Sequence, residues 1–138
     1  MQQNSTRFRA APATLFFWVL LPLFGCGGDT CQPIQGRWSN KEGQAFEFKE
    51  NGKALWFVHF GSQVDTLTMQ YRYNCKKQPP ELDLSGFTSG PLTGKTLFGI
   101  LEWNSDTTFR FDAEAGYGPE SRPATFDSDQ TQKFFMEK

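Results

Sequence analysis

Three cysteines in this 138-residue chain could form a disulfide, bind a metal or accept a lipid. Cys26 directly follows a long apolar run, which sets it apart from the other two. Cys31 and Cys75 remain as an even pair, and an oxidising compartment favours a disulfide between them over two unpaired thiols. Neither has a neighbouring ligand at the spacing of a metal site, and His59 is the single histidine. We therefore predict no metal and no cofactor.

Three further features suggest catalysis, and each has a structural explanation. Residues 90–96 have the sequence Gly-Pro-Leu-Thr-Gly-Lys-Thr, one residue short of the phosphate-binding motif G-x-x-x-x-G-K-[ST], and a strand pattern follows where that motif needs a helix. His59 has no nucleophile elbow of the G-x-S-x-G type to act with. Four carboxylates are interpreted as members of structural ion pairs: Asp83, Glu102, Asp112 and Glu114. We expect that the protein is not an enzyme, with a loop-borne catalytic site as the weaker alternative.

The segment that precedes Cys26 has the composition of a secretory leader. Arg7 and Arg9 provide positive charge near its start, and residues 10–25 are apolar apart from one threonine and two prolines. A transmembrane helix needs about 20 apolar residues, and this run is shorter and has a proline near its end. We therefore predict that residues 1–25 are a cleaved signal peptide.

The end of this leader carries a recognisable motif. Leu23-Phe24-Gly25-Cys26 resembles the lipobox of bacterial lipoproteins, in which the cysteine sulfur receives a diacylglyceryl group before cleavage. The resemblance implies that Cys26 becomes the lipidated first residue and that residues 26–33 form a short tether to the membrane. The expected location is the bacterial cell envelope, at the outer membrane or the cell surface. Ordinary cleavage without lipidation would instead release a secreted protein.

Composition limits the possible partners of the remaining chain. The whole chain has 15 acidic and 14 basic residues, and loss of Arg7 and Arg9 with the leader leaves 12 basic ones, a net charge of 12 − 15 = −3 that argues against nucleic-acid binding. Residues 34–138 suit one domain with a continuous core, which we expect to be monomeric. The chain has fifteen phenylalanines, and the eleven of them in residues 34–138 make that core unusually aromatic.

Alternation with period two dominates residues 34–138. Residues 45–50 alternate apolar and charged side chains, and the Asn-Gly pair at 51–52 is the strongest short hairpin signal. About eight or nine short strands follow one another without a helical period, including a short one at 123–127. We predict an all-β fold, an antiparallel up-and-down meander closed into a small barrel of about eight strands, with a β-sandwich as the alternative.

The same residues resemble a known family. Gly36-x-Trp38 resembles the G-x-W opening of lipocalin-type barrels, in which the tryptophan packs across the closed end; Lys133 or Arg122 is a candidate to cover its ring. An ordered series in the second half is similar to a lipocalin-like family of bacterial secreted proteins and lipoproteins, most of which have no assigned function. That series comprises Pro80-Glu81-Leu82-Asp83-Leu84, Gly90-Pro91, Gly94-Lys95-Thr96, Gly99-Ile100, Asp106-Thr107, Arg110, Arg122-Pro123 and Phe126. The family implies a lipocalin-like barrel in the envelope and no catalytic residues.

Aromatic side chains are the one signal with functional content. Barrels of about eight strands either fill their interior with side chains or hold one small ligand. The candidate lining residues are Trp56, Tyr71, Tyr73, Phe98, Trp103, Phe109 and Phe111. We predict a membrane-anchored, non-catalytic lipoprotein that binds a small hydrophobic ligand or lipid at its open end. The alternative is a protein-interaction or inhibitor module that uses an edge strand or the loops at 86–95 and 115–122.

Overall fold

The computed structural model describes residues 31–138. The predicted signal peptide at 1–25 and the lipidation site Cys26 lie outside the described residues. The described part is an antiparallel barrel of eight strands in sequence order, which confirms the predicted fold class. Its strands are β1 (Gly36–Ser39), β2 (Gln44–Phe48), β3 (Lys53–Phe60), β4 (Gln63–Asn74), β5 (Glu81–Ser85), β6 (Thr96–Ser105), β7 (Thr108–Gly116) and β8 (Gln132–Met136). Across these residues, no helix has the length and hydropathy of a membrane span.

Pairing of the first strand with the last closes the sheet. Trp38 and Ser39 of β1 lie opposite Met136 and Phe135 of β8, while β1 also pairs with β2 along its whole length. Each described strand thus has a partner on both sides, and the sandwich alternative is wrong. Closure removes the free edges that would otherwise template further strand pairing.

The connections define two ends of the barrel. The disulfide end holds the β2–β3, β4–β5 and β6–β7 connections, and the Cys31–Cys75 disulfide lies there with a Cα–Cα distance of 5.5 Å. This bond confirms the predicted pairing. The opposite end, which we call the mouth end, holds the β1–β2, β3–β4, β5–β6 and β7–β8 connections. As predicted, the Asn-Gly pair at 51–52 turns β2 into β3, with Gly52 at a φ of 76°.

Trp38 fills the interior at the disulfide end. Its ring is fully buried, its indole N–H donates to the Ile34 carbonyl oxygen at 2.8 Å, and it packs against Trp103 and Phe109 with centroids 5.5 and 4.9 Å away. Neither predicted cation covers this ring. The Lys133 ammonium lies over Phe135, and the Arg122 guanidinium lies over Phe98.

Phenylalanines continue the core from Trp38 along the barrel. Phe109 stacks on Phe134 with centroids 5.4 Å apart, and Phe134 contacts Phe46 at 4.9 Å. Nine further residues complete the buried cluster: Ile34, Phe48, Ala54, Met69, Leu82, Leu84, Phe87, Leu101 and Phe111. Since these side chains pack in mutual contact, most of the interior is solid.

The connection between β7 and β8 covers part of the outer wall. Residues 117–131, which we call the strap, contain one 3₁₀ turn at Pro119–Ser121. The prediction of a short strand at residues 123–127 is wrong, because these residues form no strand. Asp112, 3% exposed, accepts hydrogen bonds from the Asp127 amide and the Thr131 hydroxyl. The outward-facing Ile100 is also buried. The strap therefore gives β6 and β7 a second, external contact layer.

Candidate functional site

A cavity of about 170 Å³ lies inside the barrel at the mouth end. Six apolar side chains and three glutamines line it: Phe46, Trp56, Leu97, Phe111, Ala113, Phe134, Gln44, Gln130 and Gln132. None of the nine carries a charge. We call this space the mouth cavity.

Strand register explains why these side chains meet. Phe46 of β2 lies directly opposite Trp56 of β3, and alternation puts Gln44 on the same inward face two residues nearer the mouth. Gln132 stands in the same relation to Phe134 on β8. Gln130, at the end of the strap, is exposed, so the cavity is accessible from solvent beside its side chain.

Gly99 sets one wall of the mouth cavity. A Cβ at this position would lie 2.2 Å from Cε2 of Phe111 and 2.6 Å from the carbonyl oxygen of Leu82. Only glycine therefore lets the Phe111 ring lie flat against β6. The ring in turn forms part of the cavity wall.

Replacing Gly99 by alanine tests this packing. We expect the free energy of unfolding to fall by about 1–3 kcal/mol, because the new methyl overlaps both an aromatic ring and a backbone oxygen. Urea denaturation measures the loss. The double variant Gly99→Ala/Phe111→Leu should lose less unfolding free energy than the sum of the two single variants, because the smaller leucine leaves room for the new methyl group. Additive losses would contradict the proposed contact.

Trp56, one of the side chains that line the mouth cavity, carries an unusual polar group in its indole N–H. An indole N–H is a donor only, and a buried donor without a partner costs about 1–3 kcal/mol. Trp38 donates to Ile34, and Trp103 donates to the Tyr73 hydroxyl at 2.9 Å. The Trp56 N–H is buried and has no hydrogen-bond partner among the described residues.

Asn40 forms hydrogen bonds to two of the residues that line the mouth cavity, Gln44 and Gln132. Its carboxamide oxygen accepts the backbone N–H groups of Glu42 and Gln44 at 2.8 and 2.9 Å. Its amide nitrogen donates to Oε1 of Gln132 at 3.2 Å. The β1–β2 turn and the start of β8 are thus tied together through the backbone of Gln44 and the side chain of Gln132.

The volume of the mouth cavity limits its occupant. Drug-sized ligands occupy pockets of about 300–1,000 Å³, whereas an apolar cavity of about 150 Å³ holds a single benzene ring. The space here suits one small ring or a short branched aliphatic group. It does not suit a whole lipid, because phenylalanines fill the rest of the barrel.

The predicted lining residues separate into five locations. Trp56 and Phe111 line the mouth cavity, and Phe109 is fully buried in the core. Tyr71 packs on Phe48, and its hydroxyl donates to the Lys49 carbonyl oxygen at 2.5 Å. Phe98 faces outward beneath Arg122, so it does not line the interior. The remaining two, Tyr73 and Trp103, lie at the disulfide end.

Tyr73 and Trp103 line a separate groove of about 430 Å³ beside the Cys31–Cys75 disulfide. Burial raises the pKa of Tyr73 above its ordinary value, and the hydrogen bond from Trp103 offsets this in part. The hydroxyl therefore remains neutral at neutral pH and already serves as the acceptor for the Trp103 indole. The Trp103 indole N–H and the Tyr73 hydroxyl thus pair with each other, in contrast to the Trp56 N–H.

Other candidate chemistry does not assemble into a site. His59 is exposed near the end of β3. Within residues 31–138, no three His, Cys, Asp or Glu side chains are grouped so that they could hold a metal ion. Two of the four carboxylates interpreted as ion-pair members do pair, Asp83 with Arg122 and Glu102 with Arg110.

Comparison of the chain with protein-family models, with curated proteins and with solved structures gives no match. The barrel itself agrees with the lipocalin-like architecture that the sequence predicts. Membership of the lipocalin-like family stays a prediction. The mouth cavity is therefore the feature of the barrel from which a function can be inferred.

Proposed function

We propose that this protein is a lipid-anchored, non-catalytic barrel of the bacterial envelope that binds a small neutral hydrophobic ligand in its mouth cavity. The observation that carries the proposal is the buried, unpartnered indole N–H of Trp56, whose side chain lines an uncharged cavity of six apolar side chains and three glutamines. The ligand would contribute one hydrogen-bond acceptor, such as a carbonyl or ether oxygen, to that donor.

Two contributions to the binding free energy favour such a ligand. Burial of apolar surface contributes about 25 cal/mol per Å², and six apolar walls provide contact for a ring or branched chain. An acceptor on the ligand removes the cost of the unpaired donor, which amounts to about 1–3 kcal/mol. A ligand with a net charge is disfavoured, since the lining offers no opposite charge.

The anchor is the second part of the proposal. The lipobox resemblance at Leu23-Phe24-Gly25-Cys26 supports lipidation of Cys26, and a diacylglyceryl group supplies the two chains that stable attachment needs. Five residue steps separate Cys26 from Cys31, which is fixed to the barrel by its disulfide. At about 3.6 Å per residue, the tether reaches no more than about 18 Å.

A protein-interaction module is the second candidate. Its predicted edge strand does not exist among the described strands, because each is paired on both sides. The observation in its favour is the tip of the β3–β4 hairpin, where Phe60 is 63% exposed and Val64 is 46% exposed. Two exposed apolar side chains form a small patch that a protein partner could cover.

A matched pair of probe ligands tests the cavity directly. Acetophenone and α-methylstyrene have the same shape, but only acetophenone carries an acceptor oxygen. We expect acetophenone to bind several-fold more tightly in NMR titrations of the barrel, because it satisfies the Trp56 N–H. Trp56→Phe should abolish this preference while retaining an aromatic wall.

Trp103→Phe is the matched control, since its indole N–H is already bonded to Tyr73 outside the mouth cavity. That variant should keep the preference for acetophenone. Equal affinity for both probes in the unmodified protein, or a preference that survives Trp56→Phe, would rule out the proposed donor. Shifts confined to the β3–β4 hairpin would favour the interaction module.

A further inference from the structure

Four lysines lie at the disulfide end of the barrel. Lys49 and Lys53 flank the β2–β3 turn, and Lys76 and Lys77 follow Cys75 in the β4–β5 connection. All four are exposed, and among the described residues none takes part in an ion pair. Their charges are therefore available to an external anion.

Nearby carboxylates do not cancel this charge. Glu50 and Asp106 are the exposed acidic side chains in the β2–β3 and β6–β7 turns. Four further acidic side chains towards this end have arginine partners, Glu137 with Arg37, Glu102 with Arg110, and Glu81 and Asp83 with Arg122, whereas Glu47 on β2 has no ion-pair partner among the described residues. The four lysines thus leave the disulfide end with an excess of positive charge.

The lysines at the mouth end have different surroundings. Lys41 precedes Glu42, and its ammonium lies over the Phe135 ring at 4.1 Å. Lys95 lies 6.0 Å from the centroid of Tyr117. These two lysines are far along the barrel from the disulfide and provide an internal reference.

From this arrangement we infer that the disulfide end rests on anionic phospholipid headgroups and that the mouth cavity opens away from the anchoring membrane. The inference rests on the proposed lipid anchor at Cys26. The disulfide joins the tether to Cys75, directly before Lys76 and Lys77. A tether of at most about 18 Å keeps these charges near the surface potential of an anionic membrane, which decays over a Debye length of about 8–10 Å.

This orientation deepens the proposed function. The mouth cavity lies at the end of the barrel opposite the disulfide, so its ligand arrives from the aqueous side. A small neutral molecule with some water solubility satisfies that requirement. A long acyl chain drawn directly from the anchoring leaflet does not.

Lysine acetylation of the lipidated protein tests the orientation residue by residue. The protein is reconstituted in vesicles of phosphatidylglycerol and phosphatidylcholine or of phosphatidylcholine alone, treated with an amine-reactive acetyl ester, and read by peptide mass spectrometry. We expect Lys49, Lys53, Lys76 and Lys77 to react several-fold more slowly on the anionic vesicles, and high salt to reverse the effect. Lys41 and Lys95 should react equally on both.

Two outcomes would overturn the inference in distinguishable ways. Equal protection of both lysine groups, or slower reaction of Lys41 and Lys95, would show that the orientation is wrong while the anchor stands. An intact mass without lipid on Cys26, together with failure to float with vesicles, would remove the anchor and the orientation together. A Lys76→Glu/Lys77→Glu variant should lose protection at Lys49 and Lys53, whereas the matched Lys41→Glu/Lys95→Glu variant should retain it.

Discussion

We expect replacement of Arg122 by alanine to lower the free energy of unfolding by about 3 kcal/mol, the lower part of the range for breaking a buried ion pair. Its guanidinium donates to both carboxylate oxygens of Asp83, at 2.5 and 3.0 Å, and to the Gly99 carbonyl oxygen at 2.7 Å. The two side chains are only 14% and 18% exposed. Alanine would leave the Asp83 carboxylate without its counter-charge and release the strap from β5 and β6. Urea denaturation followed by circular dichroism measures the loss.

Arg110 supplies the matched control for this prediction. It pairs with Glu102 and lies over the Phe126 ring, but the two charged side chains are 41% and 47% exposed. Arg110→Ala should therefore cost no more than about 1 kcal/mol. Arg122→Lys should fall between, since lysine keeps the charge without the two-pronged geometry. Equal losses at positions 110 and 122 would refute a special role for the strap contact.

The bond from Arg122 to Asp83 also raises the pKa of Arg122, with burial acting in the opposite direction. The guanidinium consequently carries its charge at neutral pH. Substitution of Asp83 tests the role of its charge. Asp83→Asn in the Arg122→Ala background should recover part of the lost stability, because no uncompensated charge then remains buried.

Strand order and most strand bounds could be predicted from residues that alternate with period two. Such a pattern says which side chains share a face, but not which face points inward when both are apolar. On β6, Leu97 and Leu101 face the interior, while Phe98 and Ile100 face outward under the strap and Arg122. Phe98 was therefore predicted as a lining residue although it packs outside the barrel.

The strap itself escaped prediction for a related reason. Residues 123–127 include Phe126 and resemble a short strand by composition, yet Phe126 is held on the outer wall by the cation of Arg110. No local signal distinguishes an apolar residue that pairs in a sheet from one that packs on its outside. Long-range contacts to Asp83 and Asp112 determine the path of this segment.

The mouth cavity shows a second limit of sequence reasoning. Gln44 and Gln132 lie far apart in the sequence, on the second and the last strand. Only the pairing of β1 with both β2 and β8 brings them together around Asn40. The absence of a partner for the Trp56 indole likewise depends on every neighbour. The sequence could supply a set of candidate aromatic lining residues, but it could not show that the indole N–H of Trp56 has no hydrogen-bond partner.

Removal of the Cys31–Cys75 disulfide should lower the free energy of unfolding by about 4 kcal/mol. The bond joins residues separated by 44 positions, and the chain-entropy model gives about 3 kcal/mol for a 15-residue loop and about 4.7 kcal/mol for a 100-residue loop. A Cys31→Ser/Cys75→Ser variant tests this without leaving a single reactive thiol. Comparison of its urea midpoint with that of the oxidised protein measures the change.

The position of the disulfide adds a local reason for a large loss. Cys31 begins a segment that is held by Gln32, whose side chain donates to the Ser105 carbonyl oxygen, and by Ile34, which is buried in the core and accepts the Trp38 indole N–H. Freed from Cys75, this segment can detach and expose the Trp38 end of the core. Addition of reductant should lower the stability of the unmodified protein to that of the double variant and leave the variant unchanged. A difference below about 1 kcal/mol would mean that the Gln32 and Ile34 contacts hold the segment without the covalent bond, and that the tether of the proposed anchor is fixed by packing alone.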